Sequence, residues 1–364
     1  MLRTRKHLKF GPFSPALNSY IVCNYFNNVT NLIPPGPVPG KGKKLESQVN
    51  FLKEGVRMFI RPFDAAKDET CLLDLWATVF GATWPLTPAW LRQQTIDVET
   101  YRPGDHLLAE EDDKLIGFAL TQIGTEPPTT GSVMAMGVHP AYRGQGVGRA
   151  LHKAAVTRLK TRGAEMLQLG SGGFQYFWPG VPLEPDGAWA FFHYMGWPEI
   201  ERSWDLVQSI ENYTTPAWVW ERVRLLGLAI EPSTPHEHAA VSDFVAKEYP
   251  GWAPYFEKAF KEDRAGDVVV ARQPDGDLLG ACLIESPTTR WAECFSGPTG
   301  APGCVLTAQA ARNQGIGLAL TARATELAKA RGCRTSFIGW TWLVEWYGKL
   351  GYRPWQSYVM SRRP

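Results

Sequence analysis

One pattern occurs twice in this chain and constrains its fold more than any other feature. Arg143-Gly144-Gln145-Gly146-Val147-Gly148 stands in the first half, and Arg312-Asn313-Gln314-Gly315-Ile316-Gly317 in the second. Each copy follows a short apolar run and opens a long amphipathic stretch. A strand that runs into glycines and then into a helix gathers unpaired backbone N–H groups and a positive dipole end at one spot. Such a cradle suits a diphosphate. Glycine at 146, 148, 315 and 317 leaves room for phosphate oxygens to meet backbone amides, and Arg143 and Arg312 add positive charge.

The cradles belong to a longer repeat. Met58–Pro62 matches Leu228–Pro232 as a first strand, and helical patterns follow over 68–79 and 236–248. Gly104-Asp105 and Gly266-Asp267 each turn into a strand, and Leu115–Leu120 and Leu278–Leu283 read as hairpin partners. Gly104 recurs as Gly266, Gly117 as Gly280 and Arg143 as Arg312, a nearly constant offset of 162 to 169 residues. Such an offset over several elements marks an internal repeat.

Composition fits two ordinary domains in 364 residues, 44% hydrophobic and 20% charged. A net charge of +2 provides no strong field for nucleic acid or an anionic membrane, and no apolar run reaches membrane-spanning length. The six cysteines form no C-x-x-C pair and the seven histidines no ligand spacing, so no metal site is expected. Cysteines inside apolar runs read as buried free thiols of a reducing, cytoplasmic setting. Residues 1–56, with the breaker run Pro34-Pro35-Gly36-Pro37, are expected to be a disordered leader or foreign to the native product, because Met58 directly precedes a clean strand. The expected divisions are then 57–212, a linker over 213–225, and 226–364.

Strand, helices, antiparallel strands, then Val138-His139-Pro140-Ala141-Tyr142-Arg143-Gly144-Gln145-Gly146-Val147-Gly148 opening a helix resembles the GNAT acetyltransferase family. The second copy departs from its pattern at Thr307 and Gln309, where Val and Pro are usual, and keeps the glycines. The resemblance implies an α/β (α+β) fold of two tandem domains, each a mixed, mostly antiparallel twisted sheet flanked by helices. It also implies acetyl-CoA as co-substrate, without metal. Cofactor contacts then fall on Met136, Val138, Arg143, Gly144, Gln145, Gly146, Val147, Gly148 and Arg149. In the second copy they fall on Leu306, Thr307, Arg312, Asn313, Gln314, Gly315, Ile316 and Gly317. In this family strands four and five splay apart, and their opened edges pair with pantetheine.

The resemblance further implies a tyrosine in the fourth helix that protonates the leaving thiolate. Trp346-Tyr347-Gly348-Lys349-Leu350-Gly351-Tyr352 supplies Tyr347, whereas Phe191-Phe192-His193-Tyr194-Met195-Gly196-Trp197 puts Phe192 at that place. Chemistry is therefore expected in the second half, with the first binding cofactor only. Family members use a glutamate near strand four as base; Glu293 is the leading candidate, with Glu285 and Glu345 as others. The first half also carries an aromatic insertion, 170–182, that either packs between the halves or touches the acceptor. The expected activity is acetyl transfer to a primary amine of a small molecule, an amino sugar among them, by a monomer or homodimer. A non-catalytic acyl-CoA-binding protein and a protein-lysine acetyltransferase remain the alternatives.

Overall fold

The repeat read in the sequence is also a repeat in space. A Cβ built on Gly117 would lie 2.8 Å from Leu151 Cδ1, and one on Gly280 would lie 2.9 Å from the corresponding Leu320 Cδ1. Only glycine lets each cradle helix lie this close to its sheet, which is why the two positions match.

The computed structural model describes residues 48–52, 56–124, 129–171, 176–184, 187–288 and 290–364. The first half comprises Gln48–Leu52 (β1), Val56–Pro62 (β2), Ala65–Phe80 (α1), Pro88–Gln94 (α2), Leu107–Glu111 (β3), Lys114–Ile123 (β4), Thr130–Val138 (β5), Val147–Thr161 (α3), Met166–Leu169 (β6), Val181–Pro182 (β7), Ala188–Tyr194 (α4) and Glu201–Ser209 (β8). Helix Ala217–Leu225 (α5) occupies the linker. It leads to Ala229–Pro232 (β9), His238–Glu248 (α6), Ala253–Lys261 (α7), Val268–Arg272 (β10), Leu278–Glu285 (β11), Thr299–Thr307 (β12), Ile316–Ala330 (α8), Thr335–Thr341 (β13), Val344–Gly348 (α9), Arg353–Met360 (β14) and Arg362–Arg363 (β15). Apart from 48–52 and 56, the expected leader lies outside the described residues. Among the described residues no helix is long and apolar enough to cross a membrane.

The architecture is the mixed α/β one expected: two sheets, ordered β1-β2-β3-β4-β5-β6-β15 and β7-β14-β8-β13-β12-β11-β10-β9. In each, neighbours are antiparallel except β5 with β6 and β12 with β13. Those parallel pairs are short: Thr130–Val133 with Met166–Leu169, and Thr299–Gly300 with Thr335–Ser336. Beyond them the strands diverge, so each sheet opens into a V whose mouth faces its cradle.

The sheets do not respect the boundary between repeats. β8 ends the first repeat yet lies between β13 and β14, with Val207 opposite Phe337 and Trp204 opposite Ser357. In return β15 pairs with β6 of the first sheet, Arg362 opposite Gln168. Local sequence announces a strand but not its partner, so this exchange is not visible in the repeat pattern. The described residues accordingly form one compact unit.

Between the halves lies an aromatic core. Trp76 stacks on Trp178 at 5.4 Å with 6° between planes, and Trp178 stacks on Trp291 of the second half at 5.7 Å. Trp84 and Trp90 close on Trp291 at 4.5 and 4.2 Å. This cluster includes Leu120, Met134 and Ala135, beside the bulge where β5 slips against β4.

Candidate active site

Both cradles have the same backbone. After the strand, a single 3-10 turn (Pro140–Tyr142 or Gln309–Ala311) leads to an extended arginine, Arg143 or Arg312. The next residue enters the left-handed region, Gly144 at φ 74° and Asn313 at φ 64°; asparagine is one of few residues that tolerate it. Gly146 (φ 93°) and Gly315 (φ 89°) cap α3 and α8, and neither helix start has a side-chain cap. The first-turn amides are thus left for an anion. Arg143 Nε donates to Val138 O at 3.1 Å and Arg312 Nε to Thr307 O at 3.4 Å, so both guanidiniums fold back along their loops.

The anticipated contact residues divide by what their side chains do. Val147, Leu306 and Ile316 are buried in the cores, so only their backbone faces a ligand. Gly148 lies under Phe191, and Gly317 under Trp346, whose ring would stand 3.0 Å from an added Cβ. Arg149 points elsewhere, donating to Tyr194 Oη at 3.2 Å. Met136, Val138 and Thr307 are half-buried at the strand ends. Gln145 is exposed, with Nε2 donating to Ala141 O at 2.9 Å, and Gln314 is half-buried.

The matched rings over Gly148 and Gly317 fix the comparison of α4 with α9: Phe191 stands for Trp346, so Phe192 stands for Tyr347. Tyr347 is 8% exposed, flanked by Trp346 at 4.7 Å and Tyr352 at 6.1 Å. Its hydroxyl makes no hydrogen bond to a described residue. Burial, with Tyr352 adding, holds its pKa above the ordinary phenol value, so the proton stays on at neutral pH.

Around the mouth of the second V the structure assembles groups that sequence reasoning did not connect. β12 bulges against β11 between Ala281 and Leu283, with Cys304 at φ 48°. A bulge leaves one residue out of the ladder. Burial pushes the Cys304 thiol up to about 12. Electrostatic influence links Tyr347 to Cys304, and Cys304 in turn to Glu285, Arg290, Tyr255 and Tyr176. Thr288 Oγ1 donates to Glu285 Oε2 at 2.7 Å and accepts from Arg290 N at 3.2 Å, which fixes the loop after β11. Arg290 Cζ lies 4.2 Å from the centre of the Tyr176 ring, which meets Trp340 edge-on at 5.5 Å. Asp205 on the exchanged strand β8 is buried and accepts from Trp340 N at 2.8 Å and Tyr358 Oη at 2.6 Å. Burial raises its pKa to about 6.

Glu293 does not join this group. It is exposed on the short turn after Trp291, and no described contact ties it to Tyr347, while Glu285 is exposed within the cluster. Glu345, also exposed, lies two residues from Tyr347 on α9. The insertion divides its roles: Phe177 and Trp178 fill the core between the halves, and Tyr176 reaches the second site. Asp205 had a sequence signal, a carboxylate flanked by apolar residues within strand 201–209, but its partners come from the exchange. Among the described residues no His/Cys/Asp/Glu group is arranged to hold a metal.

Comparison with known proteins agrees with this geometry. The family model "Acetyltransferase (GNAT) family" matches residues 70–172 and again 237–352, together more than half of the chain. A mycothiol acetyltransferase of Thermobispora bispora is 35% identical over 128 residues, which are 32% of this chain and 41% of that protein. The match thus spans well under two thirds of that relative. Among solved structures, a GCN5-related glucosamine N-acetyltransferase region of a fungal multi-domain GH3 beta-N-acetylglucosaminidase superposes with a TM-score of 0.79. It is 26% identical and covers 85% of this chain and 38% of that one. A tandem GNAT protein from the clavulanic acid biosynthesis pathway shares the fold, with a TM-score of 0.59 at 16% identity over 84% and 98% of the two chains. The chain belongs to the GNAT acetyltransferase family and carries that family's domain twice.

Proposed function

We propose that this protein transfers the acetyl group of acetyl-CoA to a primary amine of a small molecule, and that the second half alone carries out the chemistry. The observation that carries the reading is Tyr347: a protonated hydroxyl with no hydrogen bond to a described residue, on the helix whose Trp346 covers Gly317 of the second cradle, where the first half has Phe192. Acetyl-CoA supplies an activated thioester. The amides of 313–317 hold its diphosphate, and the edges of β12 beyond Gly300 and of β13 beyond Ser336 are free to pair with its pantetheine.

Glu285 takes the proton that the acceptor's ammonium must lose before its nitrogen can attack. The amide freed by the bulge at Cys304 donates to the oxygen that gains charge as the N–C bond forms. As the C–S bond breaks, Tyr347 Oη gives its proton to the sulfur, and the second proton shed by the acylated nitrogen restores the Tyr347 hydroxyl through solvent. The acceptor side combines ring faces, Trp340 and Tyr176, with Arg290, Asp205 and Glu285. That mixture suits a ring bearing hydroxyls and an amine. An amino sugar is therefore the acceptor class we favour, in keeping with the glucosamine and mycothiol activities named for the relatives. On this reading the first half remains a partner of the reaction: Tyr176 and Asp205 both come from it.

Release of free CoA from acetyl-CoA, followed over a panel of amines that includes glucosamine, tests the proposal. Release with amino sugars supports it. No release with any amine leaves an acyl-CoA-binding protein, and release only with lysine peptides leaves a protein acetyltransferase.

A further inference from the structure

Helix α5 lies between the repeats, and neither copy of the repeat calls for it. One side, Val219, Trp220, Val223 and Leu226, packs into the core of the second half. The other side carries Trp218, Arg222 and Leu225, spaced four and three residues apart and so forming one stripe. Trp218 is 44% and Leu225 64% exposed, an apolar surface with no partner among the described residues. The stripe forms one wall of a groove of about 710 Å³, whose other walls are Gln314 and Gly315 of the cradle and Trp346 and Lys349 of the α9 segment. Arg222 and Lys349 outweigh the single acid on the lining, Glu221. Arg222 Nε donates to Gln314 O at 3.1 Å, which aims the guanidinium along the cradle; its two terminal nitrogens have no partner among the described residues.

We infer that α5 is a third wall of the cofactor site, built to hold the phosphorylated adenosine end of CoA. Arg222 contacts phosphate and Trp218 stacks on the adenine. The inference rests on the acetyl-CoA reading above and extends it. Its argument is continuity and chemistry: the groove runs directly from the amides of Gln314 and Gly315, is net positive, and offers an exposed indole to a flat heterocycle. Among the described residues, the stretch preceding β2 in the first half carries strand β1 and no such helix, so the wall described here belongs to the second cradle.

Calorimetric binding of CoA and of 4′-phosphopantetheine, which lacks the nucleotide, to the full chain and to its Arg222→Gln and Trp218→Ala variants tests this. We expect each variant to weaken CoA about 10-fold or more at one class of site and to leave phosphopantetheine unchanged. Unchanged CoA affinity would overturn the inference. So would equal weakening of both ligands, because α5 would then merely prop Gln314. Failure of the unaltered protein to bind CoA at all would instead remove the acetyl-CoA reading on which the inference stands.

Discussion

Trp291→Ala tests whether the two halves are one folding unit. Trp291 is 1% exposed and belongs to the second half, yet its closest rings, Trp90, Trp84 and Trp178, belong to the first. Truncating a buried tryptophan costs about 3–5 kcal/mol, and each aromatic pair contributes about 0.5–1.5 kcal/mol of such a loss. Against a typical total of about 5–15 kcal/mol, the variant should lose at least about a fifth of its stability. With a slope of about 3 kcal/mol per molar urea, the midpoint falls by about 1 M. Circular dichroism and tryptophan fluorescence should still report one coincident transition, since β8 and β15 each complete the other half's sheet. Trp291 also holds φ 49°, a conformation easier for glycine than for alanine. Trp291→Gly should therefore be no worse than Trp291→Ala, reversing the usual order. Two separate transitions, only one of them shifted, would refute the argument, as would a loss below about 1 kcal/mol.

Other outcomes follow from the second site. Glu285→Gln should lower kcat/KM for the acceptor by about 10²-fold, the usual contribution of a base, while Glu293→Gln leaves it near the starting value; steady-state kinetics of the pair would expose a reversed assignment. Asp205 has a folded pKa raised to about 6 by burial, so its contribution to stability is present at low pH and is lost as pH rises through about 6. Asp205→Asn should flatten the stability profile between about pH 4 and 6 and abolish a change in acceptor KM near pH 6, both measurable by denaturation and kinetics across that window.

Much of the fold was legible because a repeat states each element twice. The glycines at 117 and 280 and the two cradles appear as pairs because close helix–sheet approach and positive φ are properties of the local backbone. The asymmetry at Phe192 and Tyr347 was readable for the same reason, since the matched glycines 148 and 317 set the register. What escaped the sequence depends on long-range pairing. β8 looks like the last strand of its own domain, and nothing local says that it inserts beside β13. Asp205 therefore gave no sign of facing the second site, and the insertion that carries Tyr176 was read only as packing between the halves or touching the acceptor. Glu293 was favoured by nearness to strand four along the chain, whereas the turn after Trp291 carries it outward to solvent. Helix α5 was read as connection only, because its companion wall, 313–315, lies about 90 residues further along the chain.

Of the two cradles, the second alone is proposed to serve a catalytic centre, with Tyr347 as its acid. The most direct test is the turnover of Tyr347→Phe measured beside its acetyl-CoA affinity. We expect kcat to fall by about 10²–10⁴ while the dissociation constant for acetyl-CoA stays within about threefold, since only the hydroxyl is lost. Undiminished kcat in that variant would overturn the role of Tyr347 and return the chemistry to another residue or to the first half.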